Sequence, residues 1–191
     1  MNVIELSAAE AYRRMATIRC FEERVLKLSN EGLVAGSVHL CIGQEAIPVG
    51  AVAALQPQDR VLSTYRGHGW ALACGSNPTA LLGEIAQRED GLNGGRAGSA
   101  LLSDPRIGFL GENSIVGAGV PIASGVALAS VMQGTNRVVL VSIGDGAMNQ
   151  GAAPPEARAA GLYAMGIRSR RDLLQSLYYG VEREECGRGN R

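Results

Sequence analysis

Apolar positions along the chain fall into segments with different periods. Behind the capping box Ser7-Ala8-Ala9-Glu10, residues Tyr12, Met15, Ile18, Phe21, Val25 and Leu28 recur every three or four positions, which predicts a long amphipathic helix ending near Asn30 and Gly32. A glycine-containing connection, Leu33 to Leu40, leads to a second helix within Gln44 to Leu55, closed by Pro57. Arg60 to Thr64 reads as a short strand feeding the turn-like Tyr65-Arg66-Gly67-His68-Gly69. Asn77 as cap and Pro78 at the first helical position open a further helix running to about Arg88.

From Glu89 to Asn113 the chain is glycine-rich and aperiodic, as expected of a long functional or mobile loop. Val116 to Met132 is small and apolar on nearly every side, suiting a helix packed between other elements. Val138 to Ile143 is a continuous aliphatic run of the kind found at the centre of a parallel sheet. Helix, buried strand, glycine turn and helix start together predict an α/β fold with a parallel sheet flanked by helices.

Composition narrows the function classes. With 191 residues, 46% of them hydrophobic, the chain can bury a core. Its 18 basic and 18 acidic side chains cancel, and no Lys/Arg-dense patch occurs, so nucleic acid and anionic membranes are disfavoured as principal partners. No apolar stretch is long enough for a membrane span and Met-Asn-Val-Ile-Glu lacks leader features, so a cytoplasmic address is the default expectation. Cys20, Cys41, Cys74 and Cys186 lack the spacing of a zinc knuckle or redox pair and read as small hydrophobes.

Candidate chemistry concentrates where the buried run stops, at Gly144-Asp145-Gly146. Ligands in open α/β sheets sit at the carboxyl ends of strands, and an aspartate there is a hard oxygen ligand suited to Mg²⁺ and, through it, to a diphosphate. Taken alone, Asp-Gly serves equally as a tight turn. The glycine spacing does not fit the dinucleotide fingerprint.

GDGAMNQG, from Gly144 to Gly151, resembles the first half of the thiamine diphosphate signature. HLCIGQEAIPVG from His39, TYRGHG from Thr64, GGRAGSALLSD from Gly94 and GENSIVGAGVPIASGVALA from Gly111 are similar, in order, to the alpha subunits of thiamine-dependent 2-oxo acid and acetoin dehydrogenases. The resemblance covers residues 8–153. It implies a thiamine diphosphate-binding fold over residues 1–153, including an N-terminal helical arm, with thiamine diphosphate and Mg²⁺ as cofactors. Asp145 matches the magnesium ligand, Gly146 and Ala147 the backbone at the diphosphate, Tyr65 and Arg66 the pair reaching the diphosphate, and Val116 the backbone contact to the aminopyrimidine. His39 and His68, the only two histidines, match catalytic positions near the reacting centre. Each has a structural alternative: a satisfied histidine, a stacked surface arginine, a core valine; Arg96 suits the order of its own loop.

The resemblance further implies decarboxylation of a small 2-oxo acid or cleavage of acetoin, a beta subunit completing an α₂β₂ assembly, and delivery of the acyl unit to a lipoyl-bearing acyltransferase. After Gly151 the pattern breaks. Pro154 and Pro155 oppose a smooth helix, Gly161 stands where the second metal ligand, an asparagine, belongs, and about a dozen residues, the size of a helix plus a strand, are missing. Tyr163 retains a backbone carbonyl that matches a magnesium contact. Residues 154–191 therefore read as a divergent or shortened segment, and the chain alone is expected to be inactive and to bind cofactor weakly. The alternatives are a non-catalytic module that keeps only the pairing surface, or a truncated remnant.

Overall fold

The computed structural model describes residues 6–144 and 146–151 and the backbone of residues 164–168; Asp145 and Tyr163 lie outside the described residues. The first helix, α1, spans Ala8–Asn30. The Ser7 hydroxyl accepts from the Glu10 amide at 3.2 Å, as the capping box predicts, and Gly32 at φ 74° lets the chain reverse beyond the helix end. Helix α2 follows at Ala46–Ala53, strand β1 at Arg60–Thr64 and helix α3 at His68–Cys74. Of the predicted turn only Tyr65 to Gly67 is non-helical, because five of the seven α3 residues are buried and tertiary packing extends what the local sequence leaves short.

Helix α4, Pro78–Ile85, begins as predicted, with Asn77 Oδ1 accepting from the Thr79 and Ala80 amides at 2.9 and 3.0 Å. It stops three residues before Arg88. Gln87 adopts φ 56° and the Arg88 amide donates back to the Gly83 carbonyl at 2.8 Å, a left-handed closure that ends the helix. The glycine-rich stretch read as loop contains a further strand, β2, at Phe109–Asn113. Helix α5 is Gly119–Met132 and strand β3 is Val138–Ser142, both within their predicted ranges.

Strands β1, β2 and β3 pair in parallel and give the expected α/β sheet, in the order β2-β1-β3, with β4 (Ala164–Arg168) added antiparallel beside β3. Mixed sheets of this kind commonly carry their antiparallel strand at an edge. Helices α1 to α4 pack on one face through Phe21, Val25, Trp70, Leu81, Ile85 and Phe109. The other face takes α5 through Val120, Ala123 and Ala127 against Leu62, Val139 and Val141. Each fully buried aliphatic of β3 contributes about 1.5–3 kcal/mol relative to exposure.

Two local devices set the strand ends. Asp59 accepts from the Val138 amide at 2.7 Å and the Gln56 amide at 2.8 Å, tying the start of β3 to the turn before β1. On β2 the register with β1 slips by one residue at Leu110, where Gly111 takes φ 141°, and this bulge places Glu112 opposite Ser63. Helix α5 departs from its expected packing on both sides: Leu128 is 60% and Met132 80% exposed, beside exposed Ile122 and Val131.

Candidate functional site

The parallel strands end together. Thr64 of β1, Asn113 of β2 and Ser142 of β3 all line a cavity of about 460 Å³ at the carboxyl edge of the sheet. The connections leaving β1 and β2 go to opposite faces, α3 to one and α5 to the other, and this parting opens the crevice in which open α/β sheets bind ligands. Asn113 Oδ1 accepts from the Ile115 amide at 2.7 Å, an Asx turn that swings Ile115, Val116 and Gly117 across the mouth before α5 begins.

One wall is a clamp between two distant segments. The rings of His39 and Tyr65 meet edge to face with centroids 4.7 Å apart, and the Arg66 guanidinium donates through Nη1 to the Leu40 carbonyl. Arg66 is the only charged side chain among the described residues lining the cavity. A fixed, planar guanidinium over an otherwise uncharged, glycine-bearing floor favours an anionic acceptor offering paired oxygens, such as phosphate. At the end of β3 the floor is made by Gly144 and Gly146, and a β-carbon built on either meets no protein atom within 4 Å. Ser142 contributes a buried hydroxyl with no hydrogen-bond partner among the described residues.

His68 lies elsewhere. It is fully buried, its Nδ1 is 2.9 Å from Glu22 Oε2, and its Nε2 is 2.9 Å from Ser99 Oγ. Glu22 also accepts from the Cys41 amide at 3.0 Å, so one carboxylate of α1 joins the segment after His39 to the first residue of α3. Burial pushes Glu22 up, but the His68 hydrogen bond and charge outweigh it and hold the carboxyl below its ordinary value. Burial likewise pushes up the thiol of Cys41, which lines the cavity close to Glu22.

Of the residues expected from the sequence, the structure brings Tyr65, Arg66, Val116, Gly146 and Ala147 together around the cavity and places His39 against Tyr65. His68 sits behind that wall, and Arg96 is exposed on its loop. Sequence reasoning missed Asn113 and Ser142, and also Glu22. An acid standing in the Ile18–Val25 apolar stripe of α1 was the available signal for the last.

An α/β domain with a cationic, glycine-floored crevice at its strand ends is thus defined. Residues 13–165 match the family described as Dehydrogenase E1 component, and the chain belongs to that family. It is 44% identical over 140 residues to the alpha subunit of acetoin:2,6-dichlorophenolindophenol oxidoreductase of Cupriavidus necator, covering 73% of this chain and 42% of that protein. It is 42% identical over 159 residues to the alpha subunit of the pyruvate dehydrogenase E1 component of Zymomonas mobilis, covering 83% and 45%. The human somatic mitochondrial counterpart is 39% identical over 140 residues, covering 73% and 35%. The chain thus spans less than half the length of these relatives. No helix among the described residues is long and apolar enough to cross a membrane.

Proposed function

We propose that the chain is the diphosphate-holding part of an alpha-type subunit that uses thiamine diphosphate and Mg²⁺ to act on pyruvate, another 2-oxo acid or acetoin. The observation carrying this reading is the Arg66 guanidinium, fixed on the Leu40 carbonyl and facing a glycine floor across the strand ends. Among the described residues the cavity suits the cofactor in three respects: a lone cation, an unsatisfied buried hydroxyl at Ser142, and open space where side chains at positions 144 and 146 would stand. When bound, the cofactor supplies the electron sink needed to cleave the bond beside a carbonyl.

The chain's own residues bind and orient. Arg66 and Tyr65 would hold the diphosphate together with the backbone around Gly146 and Ala147, and the Val116 backbone would meet the aminopyrimidine. Asp145 would hold the magnesium, with the Tyr163 carbonyl as a second oxygen donor. His39, half-buried at the wall and touching Tyr65, is the histidine that would hold or pass a proton at the substrate, a role its contact with the cavity-lining Tyr65 supports. His68, with both ring nitrogens engaged, acts on the reaction by fixing the turn that carries Arg66.

A beta-type subunit completes the assembly, and a lipoyl-bearing acyltransferase receives the acyl unit. The bare apolar side of α5, with Ile122, Leu128 and Met132 exposed, supports such pairing. Calorimetric titration of thiamine diphosphate with Mg²⁺ into the chain co-purified with its beta partner tests the reading. Saturable binding weakened at least about tenfold by Arg66→Ala, equivalent to about 1.4 kcal/mol, is the expected result. Equal binding by wild type and variant, or none by wild type, would sink it.

A further inference from the structure

The bulge on β2 turns Glu112 inward, toward the turn that carries Tyr65 and Arg66 to the cavity. Glu112 is 9% exposed, and among the described residues neither carboxyl oxygen meets a donor in good hydrogen-bond geometry, although the Gly67 and Leu102 amides lie near. Its side chain fills the space over Gly67, the residue between Arg66 and His68: a β-carbon built on Gly67 would overlap the Glu112 carboxyl. Gly67 has φ −96°, which any residue adopts, so glycine is required there by the proximity of Glu112 and not by backbone strain. An unpartnered carboxylate cannot stay ionised in such a place without a large desolvation cost.

The groups packed around it do not relieve that cost. Helix α1 presents Glu22, whose negative charge opposes a second one; α3 presents His68, already committed to Glu22; β1 presents uncharged Ser63 in register; the loop before β2 presents only the Leu102 backbone. Burial is the main cause that pushes Glu112 well above the carboxylate range, the Leu102 and Gly67 amides pull the other way, and Glu22 pushes with burial.

We propose that Glu112 is a positioning residue whose carboxyl packs the Tyr65–Arg66–Gly67 turn and α3 into place, and whose ionisation loosens them. That the loosening then weakens the ligand of the cavity rests on the thiamine diphosphate reading above; the packing itself does not.

Trp70 gives the test, since it is the only tryptophan, lies on α3 and lines the cavity. Trp70 emission of the full chain, titrated upward from the ordinary carboxylate range, should show a transition that Glu112→Gln abolishes, because the amide keeps the shape and cannot ionise. The infrared carbonyl band of a protonated carboxylic acid should persist above that ordinary range in the wild type, a measurement that needs no variant to fold. In parallel, thiamine diphosphate with Mg²⁺, titrated into the chain co-purified with its beta partner, should lose affinity by up to about tenfold per pH unit beyond the transition in the wild type only. The same Trp70 transition in both proteins, or no protonated carboxyl band above the ordinary carboxylate range, overturns the proposal. A transition confined to the wild type, with no cofactor binding at any pH, upholds the packing role and removes the cofactor reading instead.

Discussion

Glu84 and Glu112 are both buried carboxyl groups beside the glycine-rich connection, yet the chain treats them in opposite ways. Glu84, at the end of α4, accepts from the amides of Asn93, Gly95 and Ala97 at 2.7, 2.9 and 2.6 Å and from Gly98 at 3.4 Å. Burial pushes it up, but those amides prevail and hold it below its ordinary value. Glu112 has no well-formed hydrogen bond among the described residues and is pushed up, burial outweighing the nearby Leu102 and Gly67 amides. The difference lies in the backbone around them. Gly94, Gly95 and Gly98 adopt φ of 69°, 74° and 62°, which lets successive amides converge on one point, whereas the strand backbone around Glu112 is paired in the ladder with β1. Depth of burial alone therefore does not decide whether an acid is charged; the number of free amides within reach does.

Removing the Glu84 carboxylate should break the comparison most severely. Glu84→Ala leaves four half-buried amides without their acceptor and should cost about 3 kcal/mol, with faster hydrogen exchange from Asn93 to Gly98. A loss below about 1 kcal/mol in chemical denaturation would show that the loop holds itself.

A contrast in sign comes next. The folded value of Glu84 is depressed, so its contribution is present above the unfolded carboxylate value of about 4.3 and disappears as pH falls through the folded value. The folded value of Glu112 is raised, so the native state keeps a proton the unfolded chain releases, and stability declines by about 1.4 kcal/mol per pH unit from about 4.3 toward that folded value. Denaturation across pH should recover this slope in the wild type and lose it in Glu112→Gln; parallel curves would refute the assignment.

Gly67→Ala sharpens the packing side. It should cost about 1–3 kcal/mol by overpacking against Glu112 and be restored by adding Glu112→Ala, with strict additivity of the two changes as the contrary result. The smallest effect belongs to a third acid. Glu45, held down to about 2 by its hydrogen bond to Arg19 at 2.6 Å, has a partner that is 44% exposed, so Arg19→Gln should shift the acid-unfolding midpoint only slightly upward.

These contrasts separate what the sequence carried from what it did not. Ser7 and the Asn77-Pro78 pair are local signals, satisfied within three residues, and the ends of α1 and the start of α4 were legible for that reason. The aliphatic run at Val138 identified β3 without reference to its neighbours. Strand β2 was hidden because Phe-Leu-Gly-Glu-Asn alternates poorly and acquires its identity only by pairing with β1, some fifty positions earlier. The site was legible through resemblance at Tyr65, Arg66, Val116, Gly146 and Ala147. The links among Glu22, His68 and Cys41, and between Leu40 and Arg66, join residues 19 to 46 positions apart, and no local pattern encodes them.

The anchor chosen for Arg66 has an evolutionary corollary. Its partner is the peptide oxygen of Leu40, an atom every amino acid possesses, so drift at position 40 cannot delete the tether by changing a side chain. Only a shift in the path of the main chain can release the guanidinium. Descendants of this sequence are therefore free to vary in apolar bulk at that point while retaining their grip on negative charge.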